Sequence, residues 1–506
     1  MSQVYVGLYG QDSWRVTDRV TLNLGLRWEP FFGQNVRNGA ISNFRIENFR
    51  QGVESTVYTN APPGLLWPGD AGFPSGKTGL DKQWLNLSPR VGLAWDLTGD
   101  GRMAVRSSYG LAYDFPTAQL LYVFASAAPF GDRVELPNVP FEDPYRFAGG
   151  GTQHPLPAVP PRDAAFPLFG AYGSMDPGIN SPRVQSWNVT LERQIAADWQ
   201  ASVSYLGSYA DRLWGQVPMN PGVFLGLDPC TINGVRYNAC TTNANLNQRR
   251  ALYLENPQAG QFFGPVSRYA DVGTQEYRGL KLSARRRAAS GVSVNGNYTW
   301  SQCETDTDGS GQFTQLDSGY SDPNNPSRDR GNCSGNRTHI GNFTLGFETP
   351  QFASPALRIV ASGWRMSGIL SVRSGSWLTV TTTQDTAATG ISGQRVDQVL
   401  ENPYADKTLD NYLNRAAFAQ PAPGKLGTQQ NNSIEGPGFW TADLALSRLV
   451  SVGAAQTLEL RVETFNLFNN FNWGNPSTNF NAATFGRIQS QAGDPRIMQF
   501  GIKYGF

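Results

Sequence analysis

An all-β, antiparallel transmembrane β-barrel is the fold class this sequence predicts, and three observations predict it. Apolar and polar residues alternate with period 2 along almost the whole of the 506-residue chain, as they do in strands that turn opposite faces to oil and to water. The alternating runs come in pairs joined by short turns, and long connections separate the pairs. No apolar run approaches the roughly 18 residues of a membrane helix. The expectation is about thirteen strands of a barrel of about 22, with short periplasmic turns and long extracellular loops.

In the first pair Val4, Val6 and Leu8 share a face, the chain turns through Ser13 to Asp18, and Val20, Leu22, Leu24, Leu26 and Trp28 return opposite Thr21, Asn23, Gly25, Arg27 and Glu29. The second sets Val91, Leu93, Trp95 and Leu97 against Val105, Tyr109, Leu111 and Tyr113, with Thr98-Gly99-Asp100-Gly101 supplying the turn. Trp187, Val189 and Leu191 then precede Ala201, Val203 and Tyr205, and Leu280 and Leu282 precede Val292, Val294, Tyr298 and Trp300. Phe343, Leu345 and Phe347 precede Trp364, Met366, Leu370 and Val372; Ala442, Leu444 and Leu446 precede Leu458, Leu460 and Val462. The last strand stands outside any hairpin, with Met498, Phe500, Ile502, Tyr504 and Phe506 on one parity. An aromatic terminal strand of this kind is the expected signal for the barrel-assembly machinery.

The irregular stretches fall at roughly 33 to 84, 117 to 182, 210 to 274, 304 to 336, 374 to 437 and 469 to 494. Compact soluble domains usually connect elements with about 4 to 6 residues, whereas outer-membrane barrels carry long connections on one side only. Composition agrees: charged residues are 16%, aromatics 12%, and 41 basic side chains balance 40 acidic ones. That balance offers nucleic acid no field to follow. Counting back from a periplasmic C-terminus makes the first strand a descending one, so an odd number of strands is expected in front of it. Met1-Ser2-Gln3 run straight into an alternating stretch with no signal peptide, and the natural start is expected upstream.

Several segments resemble TonB-dependent outer-membrane receptors of the Oar-like group. They are Tyr9-Gly10-Gln11-Asp12-Ser13-Trp14-Arg15-Val16 with Leu22-Asn23-Leu24-Gly25-Leu26-Arg27-Trp28-Glu29, Ser88-Pro89-Arg90-Val91-Gly92-Leu93-Ala94-Trp95, Gln185-Ser186-Trp187-Asn188, and Tyr205-Leu206-Gly207-Ser208. Further along come Asn297-Tyr298-Thr299-Trp300-Ser301, Gly363-Trp364-Arg365-Met366-Ser367-Gly368, Glu463-Thr464-Phe465-Asn466-Leu467-Phe468-Asn469 and Phe485-Gly486-Arg487-Ile488. Each motif is weak, but their order along positions 9 to 506 is specific. The resemblance implies energised uptake: a large solute (siderophore chelate, oligosaccharide or peptide) binds outer loops, a plug rearranges, and TonB pulls. Plug, TonB box, regulatory-like domain and signal sequence are not among these residues, so plug and TonB are expected partners only where upstream sequence encodes them. An outer-membrane structural or adhesion barrel without transport is the alternative, and a soluble secreted all-β enzyme a third.

Polar residues on the inward parity are Arg27, Glu29, Arg90, Asp96, Arg106, Asp114, Glu192, Lys281, Arg285, Glu348, Arg365, Arg373, Asp443, Glu459, Arg461 and Glu463. Charge at mid-membrane on the lipid face costs about 2 to 4 kcal/mol and little in a wet lumen, so parity assigns these to the lumen. The spacing of Glu459, Arg461 and Glu463 suggests one connected network. Aromatics at strand ends, Trp28, Trp300, Trp364, Trp440, Tyr504 and Phe506, fit interfacial girdles. Loop aromatics Trp67, Trp84, Tyr145, Phe169, Tyr172 and Tyr253 fit either a ligand vestibule or plain packing.

Cys230 with Cys240 and Cys303 with Cys333 read as loop disulfides, although four cysteines allow three connectivities. Glu304 to Gly309 imitates the start of a calcium loop, but its twelfth position is Gln315 instead of Glu, which favours a solvated acidic loop. The basic run Arg285-Arg286-Arg287 fits anionic headgroups or water. His154 and His339 lie far apart, so neither a triad nor a multi-histidine metal site is supported. No enzyme activity and no cofactor are expected.

Overall fold

The computed structural model describes residues 2–74, 76–115, 124–131, 142, 159–307, 319–452 and 456–506. Thirteen strands follow chain order across one sheet. They are β1 (Leu8–Arg15), β2 (Val20–Trp28), β3 (Leu87–Asp96), β4 (Met103–Tyr113), β5 (Arg183–Gln194), β6 (Trp199–Pro218), β7 (Phe263–Ala289), β8 (Val292–Thr305), β9 (His339–Glu348), β10 (Trp364–Arg373), β11 (Phe439–Ser451), β12 (Thr457–Phe465) and β13 (Ile497–Gly505). Every neighbour on this path is antiparallel. Two short strands attach to it, Gly170–Met175 beside β7 and Gly331–Asn332 beside β8.

Short turns gather at one end. Between β7 and β8 only Ser290 and Gly291 intervene, both left-handed (φ 52° and 76°), the two-residue turn that matches strand twist. Between β3 and β4 the Asp96 carboxylate accepts the amides of Gly99 and Gly101, each at 2.9 Å. Long connections gather at the other end. Both β1 and β13 run toward the short turns, since Arg15 enters one and Gly505 lies opposite Thr457. Each of these two strands pairs on one side only, so the described sheet is open between them.

The register aligns the apolar parity into rows. Leu24 faces Val91, which faces Tyr109; Tyr205 faces Leu280, which faces Trp300. Among the described residues nothing covers this face: Phe500 is 72% and Ile502 76% exposed. A surface so oily and continuous is stable against lipid, not water. Gly207 is required here because the Trp187 ring lies over it, 2.3 Å from where a Cβ would stand.

One expectation is corrected. The stretch from 210 to 274 is not irregular throughout, because β6 continues to Pro218 and β7 begins at Phe263. Arg212 has φ 56° and the ladder shifts register near Gly273. Beyond that bulge both faces meet protein, so side chains no longer alternate between oil and water and the sequence signal fades.

The extended ends of β6 and β7 support the long connections, which are folded rather than loose. One core joins Phe44, Phe49, Trp67, Phe166, Tyr172 and Phe263; a second joins Phe31, Ile41, Phe124, Met175 and Tyr269. A third, over the other half of the sheet, joins Val380, Val396, Leu413, Phe418, Ile434 and Phe485.

Candidate functional site

The inward face is built from small polar side chains interrupted by ion pairs. Arg27 Nε lies 2.8 Å from Glu29, and the Tyr5 hydroxyl joins both. Arg106 pairs with Glu192 at 3.5 Å, Arg365 with Glu348 at 3.3 Å and Arg461 with Glu463 at 2.7 Å. Asp443 instead accepts the Asn466 amide at 2.8 Å, and Glu459 stands opposite Lys503. The terminal cluster is therefore several local contacts, and Arg27 with Glu29 sits at the far side of the sheet, at the end of β2.

Arg90 is different. Its cross-strand neighbours are Gly25 and Gly110, and no ion pair reaches it among the described residues. The two glycines and Gly92 lower the wall around it into a recess of about 690 Å³, edged by Gln11, Asn23, Ser108 and Ser186. Parity alone could identify the arginine, but only the register reveals that both its neighbours lack side chains.

On the apolar face the oil ends at an upper belt of Trp28, Trp300 and Trp440, while Trp364, Tyr504 and Phe506 mark the short-turn end. Above the upper belt the same parity switches to ions: Arg183 with Asp211 at 2.5 Å, Arg278 with Glu276, and Arg330 with Glu304 at 2.9 Å. Sequence reasoning missed this tier, because alternation was read only where it was apolar. Glu304 is thus a strand residue in an ion pair, and Asp306 accepts from Thr274 at 2.7 Å; positions 308 to 318 of the calcium-like stretch lie outside the described residues.

Disulfides join Cys230 to Cys240 and Cys303 to Cys333, with Cα separations of 5.3 and 5.4 Å. His339 Nδ1 shares a 2.6 Å hydrogen bond with the Tyr298 hydroxyl, whereas His154 lies outside the described residues. Among the described residues no cluster of His, Cys, Asp and Glu could hold a metal ion. In the basic run Arg286 pairs with Asp198 at 2.7 Å.

Trp67 and Tyr172 are buried in the first loop core, which makes them packing residues and not a vestibule; Trp84 is 52% exposed and stacks on Trp28 at 6.4 Å, and Phe169 lies 6.1 Å from Tyr253. Tyr145 lies outside the described residues. The loops are also pinned by buried polar groups. Asp329 pairs with Arg395 at 2.6 Å, and Arg249 donates to the carbonyls of Val223, Thr242 and Ala388. Burial pulls the Arg249 guanidinium below its ordinary pKa, with Asp385 opposing.

Asp70 gathers the first loop: its carboxylate accepts from Ser55 Oγ at 2.6 Å, Thr56 N at 2.7 Å and Trp67 N at 2.9 Å. Burial works to raise its pKa, but the hydrogen bonds from Ser55, Trp67 and Thr56 outweigh it and hold the carboxyl below the ordinary range. A depressed pKa stabilises above the unfolded value of about 3.9 and is lost as pH falls through the folded one. The loop is therefore expected to be intact at neutral pH and to loosen only in stronger acid. Asp70→Asn should remove that acid sensitivity and destabilise the loop by about 1 to 3 kcal/mol. Exchange of the Thr56 and Val57 amides across pH checks both; unchanged exchange in the variant would refute the assignment.

A family model described as an outer membrane beta barrel domain matches residues 1–499. No curated protein matches in sequence. Among solved structures, the chain is similar to the outer membrane transporter YddB from Escherichia coli (TM-score 0.45, 11% identity, 99% of this chain and 44% of that one). It is similar also to the ferripyoverdine receptor of the outer membrane of Pseudomonas aeruginosa (0.43, 12%, 99% and 38%). The FrpB iron transporter from Neisseria meningitidis matches in the same way (0.40, 11%, 99% and 44%). The chain spans about two fifths of the length of these structures.

Proposed function

The chain belongs to the outer membrane beta barrel domain family, and from that premise we propose that it forms the wall of a TonB-dependent receptor of the Oar-like group, which binds a large solute at its outer loops and passes it through a polar lumen. The observation that supports this most is the recess around Arg90. Arg27, Arg106, Arg365 and Arg461 on this wall are ion-paired, whereas Arg90 stands open over a glycine floor, and a cation facing the lumen suits a carboxylate brought by a plug or a solute. An adhesion barrel would use the folded outer loops but has no role for that recess.

In this reading Arg27, Glu29, Asp443, Glu459, Arg461 and Glu463 keep the wall hydrated and charge-balanced. The terminal strand ending in Phe506 addresses the barrel-assembly machinery, and lipid surrounds the apolar face. The solute is a siderophore chelate, an oligosaccharide or a peptide, moved without covalent chemistry. The test is accumulation of radiolabelled members of these three classes in cells with the coding region intact, deleted or restored, with and without TonB. Uptake of one class that needs both is expected. If no class depends on both, or only surface attachment changes on deletion, the transport reading fails.

A further inference from the structure

We propose that the helix Pro355–Ala361, in the connection between β9 and β10, lies in the headgroup layer of the inner leaflet of the outer membrane, with phospholipid as its partner. It sits at the short-turn end of the sheet, where the other turns are a few residues long. No residue of the helix is buried: Leu357 is 51%, Ile359 71% and Val360 68% exposed. A helix of 7 residues is marginal in water by itself, and among the described residues nothing buries it.

The connection is nevertheless held. Thr349 N donates to Trp364 O at 2.9 Å, Trp364 N donates to Thr349 Oγ1 at 3.0 Å, and Phe352 N donates to Ser362 Oγ at 3.1 Å. The helix's single charge, Arg358, folds back to donate to the carbonyls of Phe352 and Ala353, each at 3.1 Å, leaving an otherwise apolar surface.

Continuity with the lipid-facing band names the partner. Trp364 shares the outward parity of Met366, Leu370 and Val372, and its indole N–H donates to Val360 O at 2.9 Å, so the helix ends against the oily face of β10. Beside it the Arg448 guanidinium lies 5.3 Å over the Trp364 ring, on the same parity as Leu446. Tryptophan, a stacked arginine and bare aliphatic side chains at one depth are the composition of a membrane interface. The inference rests on the membrane placement and not on transport.

All four cysteines are in disulfides, so an introduced thiol is the only free one. A polarity-sensitive fluorophore on Ile359→Cys or Val360→Cys, in isolated outer membranes carrying a headgroup-depth nitroxide phospholipid, should be quenched several-fold more by the lipid nitroxide than by aqueous iodide. Ile502→Cys serves as the strand control and Glu54→Cys as the outer-loop control. The same probe on Ala356→Cys should lose its lipid quenching when Ile359→Asn and Val360→Asn are added. If the helix probes behave like Glu54→Cys while Ile502→Cys is lipid-quenched, the proposal is overturned and the barrel stands. If Ile502→Cys is also quenched only by iodide, both are overturned.

Discussion

Arginine in place of Leu345 costs about 2 to 4 kcal/mol of stability in the membrane, whereas arginine in place of the adjacent Thr344 costs close to nothing. Leu345 lies midway along the apolar parity of β9, opposite Val294 on one side and Gly368 on the other, and is 44% exposed with only lipid to meet. Thr344 points the other way, toward the Asn295 carbonyl on the hydrated face. The two substitutions introduce the same side chain one residue apart on opposite faces, so the added charge and bulk are common to both and the face is what differs. Folded yield in the outer membrane and urea unfolding in vesicles should both separate them sharply. Equal loss from the two would mean that the faces are not assigned as described.

Trp67→Ala is expected to cost about 3 to 5 kcal/mol, confined to the first loop core. The side chain is 1% exposed, with Tyr58 edge-on at 5.1 Å and Phe166 at 5.6 Å. Among the described residues its indole N–H has no hydrogen-bond partner, so the residue acts through volume. Trp67→Phe should therefore recover much of the loss. Limited proteolysis within residues 29–86 reads the effect; rapid cleavage of the alanine variant with an intact membrane portion is expected. If the alanine variant resists cleavage as the parent does, the loop is not held by this core.

How much of this was legible follows from which residues face two solvents. Leu22, Leu24 and Leu26 alternate with Asn23 and Gly25 because lipid and water select opposite chemistries on one strand, and the thirteen-strand meander could be read from that. Where protein covers both faces, as in Gly215-Gln216-Val217-Pro218, the selection lapses and β6 could not be followed to its end. The loop cores were hidden for the same reason: Phe44, Trp67 and Phe263 come from distant segments and have no common period. Of the candidate site, parity placed Arg27, Glu29, Arg461 and Glu463 on one wall, since charge avoids lipid. Which of them touch, and that Arg90 stands between glycines, depends on cross-strand register that no single run contains.

The reach of β7 has a consequence for first encounters at the cell surface. A tilted strand needs about 9 to 11 residues to cross the bilayer, and β7 has 27. At about 3.3 Å of rise per residue, more of it stands in the medium than in the lipid. The folded crown it carries is thus lifted clear of the headgroups, and an arriving molecule collides with protein before it grazes the membrane.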